Sequence, residues 1–366
     1  MVGRSLELVS FRTSGVAAGE IVVADRFGHP RRGAVRCPTA PLLAELARGL
    51  GFRARVADVR AEEAEEAAGD AVVCAMSYLD HDGRPAGSAV AARIADEHGR
   101  AAARDLIGQW SSAVRTRRLL IAVSETGEAT ERAVASVAAS ARGFALLGDT
   151  VLVVGSPETA AAVVACARRA EVRAAAPDRP GPLSGIDPDR VSYVVAPETP
   201  VEDAAETVKA LRRRFPRLRG PHPREFGYAA SDRREAVRSV AAASDVLLVC
   251  GPEGARAGEE LLGWAGGICP AHRVGRLADL RAGWLSGAAT VGMAVAGPAG
   301  AEIADEVATA LSGLGPLAVV RRRVVTEPLR GAGEIRPRTG TATGPARHAA
   351  ARQSSAALYA TARAAE

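Results

Sequence analysis

Residues 191–215 read VSYVVAPETPVEDAAETVKALRRRF, and this stretch decides the fold class. Val191–Val195 is a short run of β-branched and aromatic residues, the composition of a buried strand. Ala196-Pro197-Glu198 interrupts it. Thr199-Pro200-Val201-Glu202 then predicts a helix start, with threonine as N-cap, proline in the first helical position and glutamate completing a capping box. A strand that turns directly into a capped helix is half of a βαβ unit.

The same unit recurs on both sides. Ile21–Ala24, Ala71–Met76, Leu119–Val123, Thr150–Val154, Val246–Cys250 and Thr290–Val295 are further candidate strands. Alanine-rich stretches of about 10–15 residues separate many of them, the spacing of helices that cross between parallel strands. Ser156-Pro157-Glu158 opens one such helix straight after a strand and Gly155. The fold class is therefore α/β, with parallel sheets flanked by helices.

Composition narrows the function. The 366 residues suffice for two or three α/β units, and 48% of them are hydrophobic. No apolar run is long enough to suggest a membrane span, and the N-terminus lacks a secretory pattern, so a cytoplasmic location is expected. The net charge of +5 comes almost wholly from arginine, with Lys209 the only lysine. Only 4% of residues are aromatic and no nucleic-acid motif is present, so Arg212–Arg214 and Arg321–Arg323 read as solvated faces. Cys37, Cys74, Cys166, Cys250 and Cys269 are odd in number, widely spaced and without a CxxC, which favours reduced thiols over disulfides or zinc. Histidines never pair four residues apart, and no metal site is expected. Asp80-His81-Asp82-Gly83 reads as a hairpin turn.

Several segments carry a resemblance. FPRLRGP at 215–221, EFGYAASDRREAV at 225–237 and DVLLVCG at 245–251 resemble the 4-hydroxy-3-methylbut-2-enyl diphosphate reductases, the IspH/LytB family. WLSGAATVGMAVAGPAG at 284–300 is similar to the family's closing unit, and RLLIAVSETGEATERA at 118–133 to its first strand, loop and helix. The resemblance implies three lobes around a [4Fe–4S] cluster held by cysteines. It therefore implies two or three such lobes here, plus an N-terminal α/β unit. The expected divisions are a flexible N-terminus at 1–17, the N-terminal unit at 18–115, the reductase-like region at 116–328 and a disordered tail at 329–366.

By the same resemblance Gly227 stands where the family has a cluster cysteine, and Gly127 where it has another. These two glycines lie 100 residues apart, an interval shorter than the family's by one lobe, on the order of 80 residues. The alternative places Gly127 at the family's second cysteine, with Cys37 near the first and no lobe deleted. The deletion is preferred because the Glu131-Arg132-Ala133 run matches the first loop. On either alignment at most one ligand cysteine remains, whereas a cluster needs about three or four thiolates. Cys250 and Cys269 have no partner at ligand spacing.

The family's diphosphate loops correspond to Ala196-Pro197-Glu198, Gly155–Glu158, Pro252–Ala257 (with Ala255, Arg256 and Ala257 at its core) and Pro298. Their hydroxyls and amides are gone. Gly251–Arg256 could still offer backbone N–H groups and the Arg256 guanidinium to an anion, although a plain turn is the better reading. The expectation is a catalytically silent member that binds a protein partner or a small phosphorylated ligand. The alternatives are an iron-independent enzyme on an isoprenoid or other phosphorylated metabolite, and, less favoured, a reductase with a rebuilt cluster site.

Overall fold

Alternation in the first residues builds an edge strand. The computed structural model describes residues 6–60, 69–80, 82–123, 128–175, 185–222, 226–328 and 335–343, and every structural statement below concerns these. In β1 (Glu7–Thr13) the residues Glu7, Val9, Phe11 and Thr13 turn inward while Leu8, Ser10 and Arg12 face solvent. Phe11 stacks on Phe27 with ring centroids 6.0 Å apart. This period of two suits a strand covered on one face, and it orders a stretch expected to be flexible. The remaining N-terminal elements are β2 (Glu20–His29), β3 (Gly33–Arg36), α1 (Ala40–Gly49), β4 (Arg53–Val59), β5 (Ala71–Leu79), β6 (Pro85–Arg93) and α2 (Glu97–Ser111). Their sheet runs β1-β5-β6-β3-β2-β4.

That sheet is mostly antiparallel, unlike the parallel sheets expected from the strand spacing. β1 with β5, β5 with β6, and β2 with both β3 and β6 pair antiparallel; β2 with β4 is parallel through α1. The local cause is the turn between β5 and β6. Asp80 accepts the N–H groups of Asp82 and Arg84 at 2.9 and 2.8 Å, and Gly83 takes φ +73°. The Asp80–Gly83 turn is thus a hairpin, as its sequence indicates; His81 lies outside the described residues.

Parallel pairing predominates further on. β7 (Arg117–Ala122), α3 (Glu128–Leu146), β8 (Thr150–Val154), α4 (Pro157–Ala167), β9 (Val172–Ala175), β10 (Val191–Val195) and α5 (Val201–Arg214) follow in order. So do α6 (Ala229–Ala242), β11 (Val246–Cys250), α7 (Arg256–Ala265), β12 (Ala271–Val274), α8 (Ala282–Ser286), β13 (Thr290–Val295), α9 (Gly297–Ser312), β14 (Leu317–Pro328) and β15 (Ile335–Thr343). β8 pairs parallel with β9 and β10, and β11 pairs parallel with β12 and β13. The region read as reductase-like holds two sheets: β10-β8-β9, and β12-β11-β13-β7-β14, with β15 added beyond β14. β15 lies in the stretch expected to be a disordered tail; its alternating threonines favour extended backbone.

The chain divides into two compact units. One takes in residues up to Ile121 together with Val240–Arg321; the other comprises Ala122–Ser239 with Arg322–Thr341. In the first, both sheets share a single core, so the N-terminal segment packs with the β11–β13 lobe rather than apart from it. Arg117 fixes the start of β7 inside that core. Its guanidinium is 2% exposed and donates to the carbonyls of Leu314 and Leu285 at 2.9 and 2.8 Å, and also to that of Ala113. Burial, then repulsion from Arg115, lowers its pKa to about 10. The second unit packs α3 and α4 on one face of its sheet and α5 on the other.

Candidate functional site

The site begins at Gly227, in the second unit. It is exposed, and a Cβ added there would meet nothing within 4 Å. Space for a side chain exists; the side chain does not. Phe226 and Tyr228 flank it with rings edge to face, 6.5 Å between centroids. Burial, then the nearby Glu202 carboxylate, raises the Tyr228 pKa. Gly127 lies outside the described residues.

The residues after Gly227 brace the lobe. Ser231 Oγ accepts the Val201 N–H at 2.9 Å and donates to Glu202 at 3.0 Å. It therefore caps α5, and the capping box expected from Thr199 and Glu202 does not form: the helix starts one residue later, with Pro200 as N-cap and no side-chain cap from it. Thr199 is instead buried, its hydroxyl against Gly155. Asp232 accepts both the N–H (3.0 Å) and the hydroxyl (2.5 Å) of Thr326 on β14. Arg234 forms a two-pronged ion pair with Asp203 on α5. Gly220 in FPRLRGP has a purely steric duty, since a Cβ there would run into the Tyr193 ring. At the foot of the same sheet the buried Asp149 carboxylate holds Ser192 and Arg219.

Beside Phe226 lies a cavity of about 400 Å³. Val201, Ala205, Val208 and Arg212 follow one another down one face of α5 at helical spacing and line it, opposite Val195 of β10. Lys209, Arg212 and Arg213, exposed in the last turns of α5, belong to its lining too. Lys209 has Glu206 3.9 Å away, a loose surface pair. Sequence reading took Arg212–Arg214 as a solvated face and did not find this cavity. The signal was there in the i, i+4, i+7, i+11 pattern that carries apolar residues directly into cations.

In the first unit the loops after β11 and β13 lie side by side. Gly251 packs against Ala296, and a Cβ on Gly300 would strike the Cys250 carbonyl. Gly254 and Gly297 take φ +74° and +73°. This is the carboxyl end of parallel strands, where α/β proteins bind ligands. The side chains there do not build a polar site, however. Ala255 and Ala296 are the N-caps of α7 and α9 and supply no side-chain bond, and Pro298 sits in the first turn of α9. Arg256, the expected counter-ion, donates to Glu260 one turn on at 2.9 Å. Arg273 is paired with Glu259.

In the second unit the corresponding loops are equally spare. Ser156 accepts the Thr159 N–H at 3.3 Å as the cap of α4, as its sequence indicates. Glu198 takes a left-handed φ of +63°, uncommon for a residue with a Cβ.

A [4Fe–4S] cluster requires thiolates that converge on iron. Cys37 and Cys250 are buried; burial raises both thiols, Cys250 to about 12 and Cys37 further still, where Asp25 adds to the shift. Burial also raises Cys74 and Cys269. Cys37 belongs to the N-terminal segment, its N–H bonded to the Asp25 carbonyl at 2.9 Å. Among the described residues no group of three His, Cys, Asp or Glu side chains is arranged to hold a metal. The thiols present do not fit a cluster.

Comparisons with known proteins agree with the sequence frame. A family model described as LytB protein matches residues 112–312. The 4-hydroxy-3-methylbut-2-enyl diphosphate reductase 2 of Mycobacterium bovis is 30% identical over 208 residues, 56% of this chain and 63% of that protein. The reductase of Burkholderia pseudomallei is 36% identical over 131 residues, 35% of this chain and 42% of that protein. The chain thus spans less than two thirds of the length of these relatives. A solved structure of E-1-hydroxy-2-methyl-but-2-enyl-4-diphosphate reductase from Plasmodium falciparum aligns with a TM-score of 0.42 at 15% identity, covering 56% of this chain and 71% of that one.

Proposed function

From the premise that this chain belongs to the LytB protein family, we propose that it is a divergent member that works without a [4Fe–4S] cluster and acts by binding a ligand rather than by reducing one. Position 227 carries this reading. The frame around it is intact, yet a glycine with open space beside it stands where the family resemblance puts a cluster thiolate. The buried, protonated thiols elsewhere do not substitute for it. The loops after β11 and β13 keep their backbone turns and carry proline, glycine and alanine where a diphosphate needs hydroxyls or amides; Arg256 is paired with Glu260, and the Ser156 hydroxyl after β8 caps α4. Among the described residues no helix is long and apolar enough to cross a membrane, and cysteines without disulfide partners suit a reducing cytoplasm.

The test is anaerobic iron–sulfur reconstitution of the whole chain, followed by absorbance and iron analysis. A colourless protein with iron well below stoichiometry is expected. A stoichiometric brown [4Fe–4S] protein would overturn the reading and restore the reductase.

A further inference from the structure

We propose that the cavity beneath α5 is a binding site for a small amphipathic anion, a short aliphatic body carrying a phosphate or other anionic head. The inference deepens the proposal that the chain acts by binding and rests on it.

The argument from chemistry has two parts. Val195, Val201, Val208 and Phe226 present an apolar wall to a space of about 400 Å³, within the range of small-molecule pockets. Lys209, Arg212 and Arg213, from the last turns of α5, line it as well. Basic residues in the last turn of a helix ordinarily complement its dipole and need no ligand. Here, though, they border an apolar cavity, and the pair that Lys209 makes with Glu206, at 3.9 Å, is loose. A neutral apolar ligand would leave the cationic part of the lining unused, and a bare inorganic anion would leave the apolar wall wet. An aliphatic chain with an anionic head satisfies both. The carboxyl-end dipole of α5 opposes the anion weakly; three cations outweigh it.

The experiment is titration calorimetry on the full chain with hexyl phosphate, hexanoate, hexanol and inorganic phosphate, supported by thermal shift. Hexyl phosphate is expected to bind about tenfold or more tightly than hexanol or inorganic phosphate and to raise Tm with concentration. A preference for hexyl phosphate over hexanoate identifies a phosphorylated ligand, and the reverse a fatty acid. Both support the anion site.

Lys209 and Arg212 are exposed, so Lys209→Glu with Arg212→Glu should fold and weaken binding about tenfold or more while reducing its salt dependence. Ala205 is also exposed, and Ala205→Phe should fill the cavity and abolish binding without lowering the unliganded Tm. Absence of binding by both organic anions, or unchanged binding in Ala205→Phe, overturns the site. A protein that fails here yet stays colourless after reconstitution loses only the cavity; one that binds hexyl phosphate but takes up a cluster loses only the cluster-free reading.

Discussion

The residues at 226–234 and the paired loops at 251–257 and 296–300 use their side chains in opposite ways. In the first, polar residues have structural partners: Ser231 caps α5, Asp232 holds β14, Arg234 grips Asp203. In the second, the backbone keeps left-handed glycines and close strand-to-loop contacts while the helix N-caps are alanines. Polar groups that fold the chain are present; polar groups that would only greet a diphosphate are not. The cluster-free binding role proposed above would give this pattern, because losing a folding contact costs stability at once whereas losing a substrate contact does not.

The largest effect should come from the frame. Gly220→Ala drives a methyl into the buried Tyr193 ring, and such overpacking costs about 3 kcal/mol, visible in chemical denaturation. A variant with wild-type stability would mean that Tyr193 moves freely and that the glycine is not steric. Asp232→Ala strips two charge-assisted bonds from Thr326 and should cost about 2 kcal/mol. Caps give the sharpest contrast, with opposite signs in the two regions. Ser231→Ala should destabilise by about 1 kcal/mol, since it leaves the Val201 N–H uncapped. Ala255→Ser should stabilise by up to about 1 kcal/mol, because Ala255 already has the extended backbone of an N-cap and lacks only the oxygen. If Ala255→Ser were destabilising, the loop after β11 would have a structural role that the contacts described do not reveal.

Much of the fold could be read from the residues because the parallel lobes are local. Thr150–Val154, Val191–Val195, Val246–Cys250 and Thr290–Val295 are strands with the bounds their composition marks. What could not be read depends on distant partners. Ser231 displaces the Thr199 capping box from thirty residues away, and no pattern within Thr199–Glu202 announces that. The N-terminal sheet turned out mostly antiparallel because hairpins, not helices, join its central strands; the Asp80–Gly83 turn was recognised, but its consequence for pairing was not followed. β1 is hard to read from sequence because Leu8, near its start, faces solvent while Glu7 turns inward, which blurs the apolar–polar alternation. The cavity is hidden when Arg212–Arg214 are read apart from the valines one and three turns before Arg212.

The smallest expected effect tests the comparison most directly. Gly227→Cys restores a thiol at the position the resemblance assigns to a cluster ligand. The site is exposed and open, so stability should change by less than about 0.5 kcal/mol. The new thiol should react rapidly with a chromogenic disulfide in the folded protein, whereas Cys37 and Cys250 should react only on unfolding, their burial keeping them protonated and out of reach. One thiolate cannot hold a [4Fe–4S] cluster, which needs about three or four. Reconstituted Gly227→Cys should therefore stay colourless. If that single substitution produced a stoichiometric cluster, the remaining ligands would have to be present already, and position 227 alone, rather than the loops together, would separate this chain from a working reductase.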